Sequence, residues 1–164
     1  MNVIEFENEV YPELQTKGNA ARYALPFAQQ MLSGDGIDIG CMKLEWAFPG
    51  AMPIDLDFDD EWEAMNLPNK KFDYIFSSHC LEHLPDWVGT LDYWGDHLKE
   101  GGTMFLYLPH YAQRYWRPWN NRKHMNILTP EFIRDYFEAR KYKNIMVTEG
   151  YDLNHAFYGV AEKC

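Results

Sequence analysis

The chain has 164 residues, with 15 Lys and Arg against 25 Asp and Glu, for a formal charge of −10 at neutral pH. Hydrophobic residues make up 46% and charged residues 24%, the balance of an ordinary globular protein, which excludes intrinsic disorder. No stretch approaches the roughly 18 uncharged apolar residues of a membrane span, and the negative charge argues against general affinity for nucleic-acid phosphates. The length fits one domain over 1–164, since domains commonly run to about 100–150 residues.

The opening, Met1-Asn-Val-Ile-Glu5-Phe-Glu7-Asn-Glu9, is acidic where a signal peptide is basic and then apolar. Asn19 is a candidate cap for a helix over about 19–33, with Tyr23, Phe27 and Met31 at four-residue spacing and Pro26 bending it. Short strands are predicted at 36–40 and 52–56. The aromatic run 72–76 reads as a strand buried on both faces. Pro85 and Asp86 suit a helix start, with Trp87, Leu91, Trp94 and Leu98 along one face. Gly101-Gly102 is predicted to stop that helix, and 104–108 to form the next strand. Thr129-Pro130-Glu131 supplies a cap, a first-turn proline and an acid for a helix to about 138. Two strands follow, near 144–148 and 156–161. Strands alternating with helices imply an α/β fold, an open and mostly parallel sheet with helices on both faces. Ligands of such sheets sit beyond the carboxyl ends of the strands, so the residues just after each strand are the ones to read.

The first of these strands ends in Asp38-Ile-Gly40-Cys41 and the second in Asp55. A glycine there lets a ligand approach the backbone, and an acid can accept both hydroxyls of a ribose. A plain turn glycine and a solvated aspartate are the alternative. Cys41, Cys80 and Cys164 are odd in number and widely spaced, so neither a disulfide framework nor a zinc ribbon is expected, and a reducing cytoplasm is the default.

Several segments together resemble class I S-adenosylmethionine-dependent methyltransferases. They are Asp38-Ile-Gly-Cys41, Ile54-Asp55-Leu56, the run from Phe72 through Ser77-Ser78-His79-Cys80-Leu81-Glu82-His83-Leu84, Leu98-Lys-Glu-Gly-Gly through Pro109, and His124 with Leu128-Thr-Pro-Glu-Phe132. The resemblance runs from roughly 34 to 163. It implies a Rossmann-like methyltransferase fold with an antiparallel C-terminal strand, and S-adenosylmethionine as cofactor. Carried over position by position, it implies that Asp38, Gly40 and Cys41 line the methionine end, with Asp55 on the ribose hydroxyls and Leu56 beside it. Glu63 would meet the adenine amino group, with Ala64 and Met65 beside the ring, and Ser77 and Ser78 would face the reactive end. This chain departs from the family's glycine pattern, with Met42 and Leu44 where the second and third glycines stand. The stretch from Asp38 to Asp55 is also short for a full helix, resembling a short-loop subgroup with a turn like Pro49-Gly50.

Three further patterns bear on chemistry. His79-Cys-Leu-Glu82-His83 spells a zinc-protease motif, in which the histidines would share a helix face with Glu82 as general base. No third ligand is identifiable from the sequence, so no metal is expected, and the simpler role for Glu82 and His83 is local hydrogen bonding at a helix start. The acidic run 55–63 imitates a calcium loop but holds Asp60 and Asn66 where glycine and glutamate are required. The segment 110–124 is long for a loop, aromatic and basic, which favours a lid or substrate site. Tyr111, Trp116 and Trp119 offer flat faces, Arg117 a cation and His124 a polar group for an anionic or sugar-containing small acceptor. The expected proton acceptor is His83 or His79, with His110 next, since neutral imidazole titrates near neutrality. A cofactor-free relic acting as an interaction module and a zinc hydrolase using His79, Glu82 and His83 are the rival readings.

Overall fold

The structure, a computed structural model, describes residues 2–58 and 61–164. It opens on a hairpin of β1 (Val3–Phe6) and β2 (Glu9–Pro12), then a single turn, α1 (Glu13–Thr16), and helix α2 (Ala21–Met31). Strand β3 (Gly36–Ile39) leads through a 3₁₀ turn at Leu44–Trp46 to β4 (Met52–Ile54). Then come β5 (Phe72–Ser78), a 3₁₀ turn at Leu81–His83, helix α3 (Trp87–Asp96) and β6 (Leu98–Pro109). Helix α4 (Pro130–Ala139), β7 (Lys143–Val147) and β8 (Ala156–Glu162) complete the chain.

Six strands form one sheet in the order β4-β3-β5-β6-β8-β7. The first four are parallel, and β8 runs antiparallel between β6 and β7. Strand order reverses between β3 and β5, so their carboxyl ends open a crevice of the kind that binds ligands in this architecture. Both faces of the sheet are apolar, with a period of two along β6. Met104, Leu106 and Leu108 pack against α3 and α4 through Leu91, Trp94, Ile133 and Phe137. Phe105 and Tyr107 face α2, which presents Ala21, Ala24 and Ala28. Small residues on that helix let it lie close to the aromatic face. At α4 the predicted cap is formed, with Thr129 Oγ1 accepting the Phe132 N–H at 3.2 Å.

Four local expectations are corrected. Asn19 does not cap α2; Ala20 stands at the N-cap already in helical conformation, and the Asn19 N–H is used on the Leu14 carbonyl, because the helix is entered from the preceding turn. Leu98 is not the last turn of α3 but the first residue of β6, paired with Phe72. Gly101-Gly102 accordingly lies inside that strand, where Gly101 takes φ +74° beside a register shift, instead of ending the helix. The second strand of the sheet stops at Ile54, leaving Leu56 exposed. The hairpin β1–β2 carries only a weak signal, because its two turn residues with positive φ are Glu7 and Asn8 where Asn-Gly is the usual pair.

Candidate active site

A cavity of about 590 Å³ opens at the carboxyl ends of β3, β4 and β5. Its floor is the loop after β3. Gly40 takes φ +85°, and a Cβ there would lie 2.4 Å from that of Cys80, so only glycine lets the loops after β3 and β5 meet. Met42 also takes a left-handed φ, +62°, and its N–H donates to Asp55 Oδ2 at 2.6 Å while Asp57 N–H donates to Oδ1 at 2.9 Å. The carboxylate is thus aimed by two backbone donors, and each oxygen keeps a lone pair toward the cavity. Asp38, buried in β3 two residues before Gly40, accepts the Phe48 N–H at 2.7 Å. Burial raises its carboxyl to about 7, the Phe48 donor opposes this, and Asp55 adds to it.

The wall facing this floor comes from the N-terminal segment, which sequence reasoning missed. Gln15, Lys17 and Gly18 line the cavity. Gln15 is 1% exposed, and among the described residues neither its Nε2 nor its Oε1 has a hydrogen-bond partner. A buried amide with both ends unsatisfied is uncommon and marks a place for a polar ligand.

Beyond β5 the chain turns sharply at His79, φ +51°, and makes the 3₁₀ turn that carries Glu82 and His83. This corrects the geometry assumed for the zinc-protease pattern, since no α-helix holds His79 and His83 on one face. The Glu82 carbonyl accepts the N–H groups of Met125 and Asn126 at 2.8 and 3.1 Å, and Asn126 Nδ2 donates to the Leu84 carbonyl. These bonds clip the end of the long loop onto the turn and bring His124 over Glu82. His79 Nδ1 lies 3.6 Å, and His83 Nε2 and His124 Nε2 each 3.9 Å, from Glu82 Oε1. Neither oxygen of this carboxyl has a hydrogen-bond partner among the described residues. Burial pushes Glu82 up to about 8 and all three imidazoles down, His124 to about 3, so the cluster is held neutral near pH 7. The thiol of Cys41 is raised to about 12 by burial and then by Asp38 and Asp55, and that of Cys80 is raised further, so neither is a nucleophile at neutral pH.

Of the residues singled out in sequence, Gly40, Asp55, His79, His83, Trp116 and His124 line this one cavity, together with Lys123 and Met125. The others lie around it or apart from it. Ser77 Oγ donates to the Ile39 carbonyl at 2.9 Å, tying β5 to β3, and Ser78 is buried without a partner for its hydroxyl. Glu63 pairs with Asn66 through both backbone groups, the Ala64 carbonyl accepts the Trp94 indole N–H, and Met65 Sδ accepts from Thr90. His110 faces away from the cavity, with Nε2 on the Glu149 carbonyl and Nδ1 accepting the Ala112 N–H, against Tyr111 and Tyr151. Arg117 turns back to the Gln113 carbonyl and lies over Trp119, which is 75% exposed. Asp59 and Asp60 of the acidic run lie outside the described residues.

A family model for the methyltransferase domain matches residues 17–147, well over half of the chain. Among solved structures, an S-adenosylmethionine-dependent methyltransferase from Thermotoga maritima, described as a possible histamine N-methyltransferase, is 15% identical with a TM-score of 0.69, covering 92% of this chain and 93% of that one. A methyltransferase from Archaeoglobus fulgidus is 15% identical with a TM-score of 0.64, covering 92% and 97%. The N-methyltransferase NodS from Bradyrhizobium japonicum, solved with S-adenosyl-L-homocysteine, is 13% identical with a TM-score of 0.57, covering 93% and 88%. At these identities the likeness is one of fold. No curated protein is significantly similar in sequence. The chain belongs to the methyltransferase domain family, the class I enzymes that use S-adenosylmethionine as cofactor. Among the described residues, no helix is long and apolar enough to cross a membrane.

Proposed function

We propose that the chain transfers the methyl group of S-adenosylmethionine to a small, oxygen-rich acceptor, anionic or sugar-containing. The observation that carries this reading is the juxtaposition, in one crevice, of Asp55 with a lone pair on each oxygen and Gln15 with a wholly unpartnered buried amide. Asp55 suits the two ribose hydroxyls. Gln15, which can donate and accept at once, suits the ammonium and carboxylate of the methionine end, with the Gly40 backbone below. A cavity of about 590 Å³ falls within the range of small-ligand sites. When bound, S-adenosylmethionine supplies an electrophilic sulfonium methyl, which leaves orientation and proton handling to the protein. His79 is the residue we assign to the proton. Among the described residues its buried Nε2 has no partner and is left to accept a proton, and Glu82 Oε1 stands 3.6 Å from Nδ1 to orient the ring. Trp116 offers an apolar wall and Lys123 a positive charge for the acceptor.

Calorimetry with S-adenosylhomocysteine tests this. Asp55→Ala should weaken binding by about 1.5–3 kcal/mol, roughly 10- to 150-fold, the scale of hydrogen bonds to a charged group. Wild-type protein that binds neither S-adenosylmethionine nor its demethylated product at millimolar concentration would overturn the reading.

A further inference from the structure

We propose that Glu82, His83 and His124 form a binding site for a divalent transition-metal ion, open on one side to the cleft. The ligating atoms of these three residues all lie within 4.8 Å of one another. They come from two segments 41 positions apart in the chain, held together by the backbone bonds from Met125 and Asn126 to Glu82. The sequence pattern His79-Cys-Leu-Glu82-His83 holds no third ligand; the fold supplies one in His124.

Each ligand is prepared by its surroundings. His83 Nδ1 donates to the Lys123 carbonyl at 2.8 Å, which leaves the Nε2 lone pair pointing at Glu82. The ring of His124 is fixed by parallel stacking on Trp116, with centroids 5.1 Å apart and planes 7° apart, so that its Nε2 faces the same carboxylate oxygen. Glu82 is fully buried, and among the described residues neither of its oxygens has a hydrogen-bond partner. An unpartnered buried carboxyl group is costly, and a dication that displaces its proton is the kind of group that compensates it. Ligands at about 2.1 Å from a tetrahedral centre lie about 3.4 Å apart, so the two 3.9 Å separations from Glu82 need to close by about half an ångström and the histidine pair, within 4.8 Å, by up to about 1.4 Å. Two imidazoles with one carboxylate favour zinc, manganese or iron over magnesium and calcium, which take oxygen ligands. His83 and His124 both border the cavity, so the remaining coordination positions face it. His79, whose Nδ1 lies 3.6 Å from the same Glu82 oxygen, is not one of the three clustered ligands. The metal site rests on geometry alone. That its open side holds the acceptor rests on the proposed function, and would favour acceptors with paired oxygen donors.

The test uses untagged protein, with metal content measured by mass spectrometry, followed by titration of chelator-stripped protein with Zn²⁺ or Mn²⁺. We expect stoichiometric metal in the purified protein, and a loss of affinity of about 100-fold in both Glu82→Gln and His124→Gln. Glu82→Gln should leave the melting temperature of metal-free protein unchanged or raised, because it removes an unpartnered buried acid. Substitution with Co²⁺ should give visible absorption bands that are lost in both variants. No metal in the purified protein together with no heat on titration would overturn the proposal, as would binding that neither variant weakens. S-adenosylhomocysteine affinity, measured on the same metal-free samples, reports on the methyltransferase reading separately.

Discussion

Asp38 gives a quantitative handle on the floor of the cleft. Its carboxyl is 1% exposed and has one donor, the Phe48 N–H at 2.7 Å. A single hydrogen bond does not offset the loss of hydration, and the carboxyl is raised to about 7 in the folded chain, burial being the main cause. In the unfolded chain the same group titrates near 3.9. Between these values the native state holds a proton that the unfolded state has released, so stability falls as pH rises through this window. The contribution is fully present below about pH 4 and lost above about pH 7. At roughly 1.36 kcal/mol per unit, the span amounts to about 4 kcal/mol. Asp38→Asn removes the ionisation while keeping an oxygen for the Phe48 N–H. Urea unfolding of both proteins from pH 4 to pH 8 measures the difference. Wild type minus variant should drop by about 3–4 kcal/mol across the range, with the steepest slope between pH 4.5 and pH 6.5. A difference flat to within about 0.5 kcal/mol would show that Asp38 ionises normally in the folded chain, and the account of its burial would be wrong.

Two further outcomes concern the long loop. Tyr11 is fully buried, and its hydroxyl donates to Glu9 while accepting the N–H groups of Arg114 and Tyr115 at 2.9 and 3.2 Å. Tyr11→Phe should therefore cost about 1.5–3 kcal/mol and lower the melting temperature by roughly 3–12 °C; a shift below about 1 °C would show that the hairpin does not clamp the loop. Trp116→Ala should cost about 3–5 kcal/mol, because the buried indole is the platform for His124, whereas Trp119→Ala should stay within about 0.5 kcal/mol. Equal losses in the two variants, read by denaturant melts, would contradict the packing described here.

What was legible in the sequence was what periodicity and end signals encode. The strand-helix alternation, the Thr129 cap and the two-sided apolar runs of β5 and β6 are local patterns, and the crevice follows from them by topology. The parts that were not legible depend on distant segments. Nothing in Gln15 or Tyr11 announces a partner, since their roles arise only when the N-terminal hairpin packs on a loop about 100 positions away. In the sequence His124 reads as an acceptor contact. Its position over Glu82 depends on backbone bonds from residues 125 and 126. The glycine pattern was hidden in a different way. Met42 breaks the family's string of residues, yet its backbone keeps the left-handed conformation, φ +62°, that a glycine there would take. Such a conformation costs a non-glycine residue roughly 1–3 kcal/mol, and the 2.6 Å bond from its N–H to Asp55 is the contact on hand to offset it. A glycine motif is a statement about φ, and the conformation can survive the loss of the residue.

The charge of the cleft is the point at which sequence and structure differ most in consequence. The basic loop 110–124 reads as a cationic collar for an anionic acceptor within a chain of charge −10. In the structure Arg114 lies 3.7 Å from Glu7 and 3.9 Å from Glu9, an arrangement that neutralises it while anchoring the hairpin. Arg117 is turned back on the loop's own backbone. The cations bordering the cavity are Lys123 and Lys17, and Lys17 is paired with Glu13. Against them stand Asp55 and Asp57 on the floor, while Glu82 behind the histidines is held neutral by its burial. Side chains alone therefore leave the acceptor side of the cleft close to neutral or weakly negative, a poor field for drawing in an anion. A dication held by Glu82, His83 and His124 would change the sign of that field where the acceptor must sit, since bound cations are often the largest local charges in a site. An anionic or polyhydroxyl acceptor and the metal site thus support each other. Of the loop's arginines, Arg114 anchors the hairpin and Arg117 lies against the loop's own backbone.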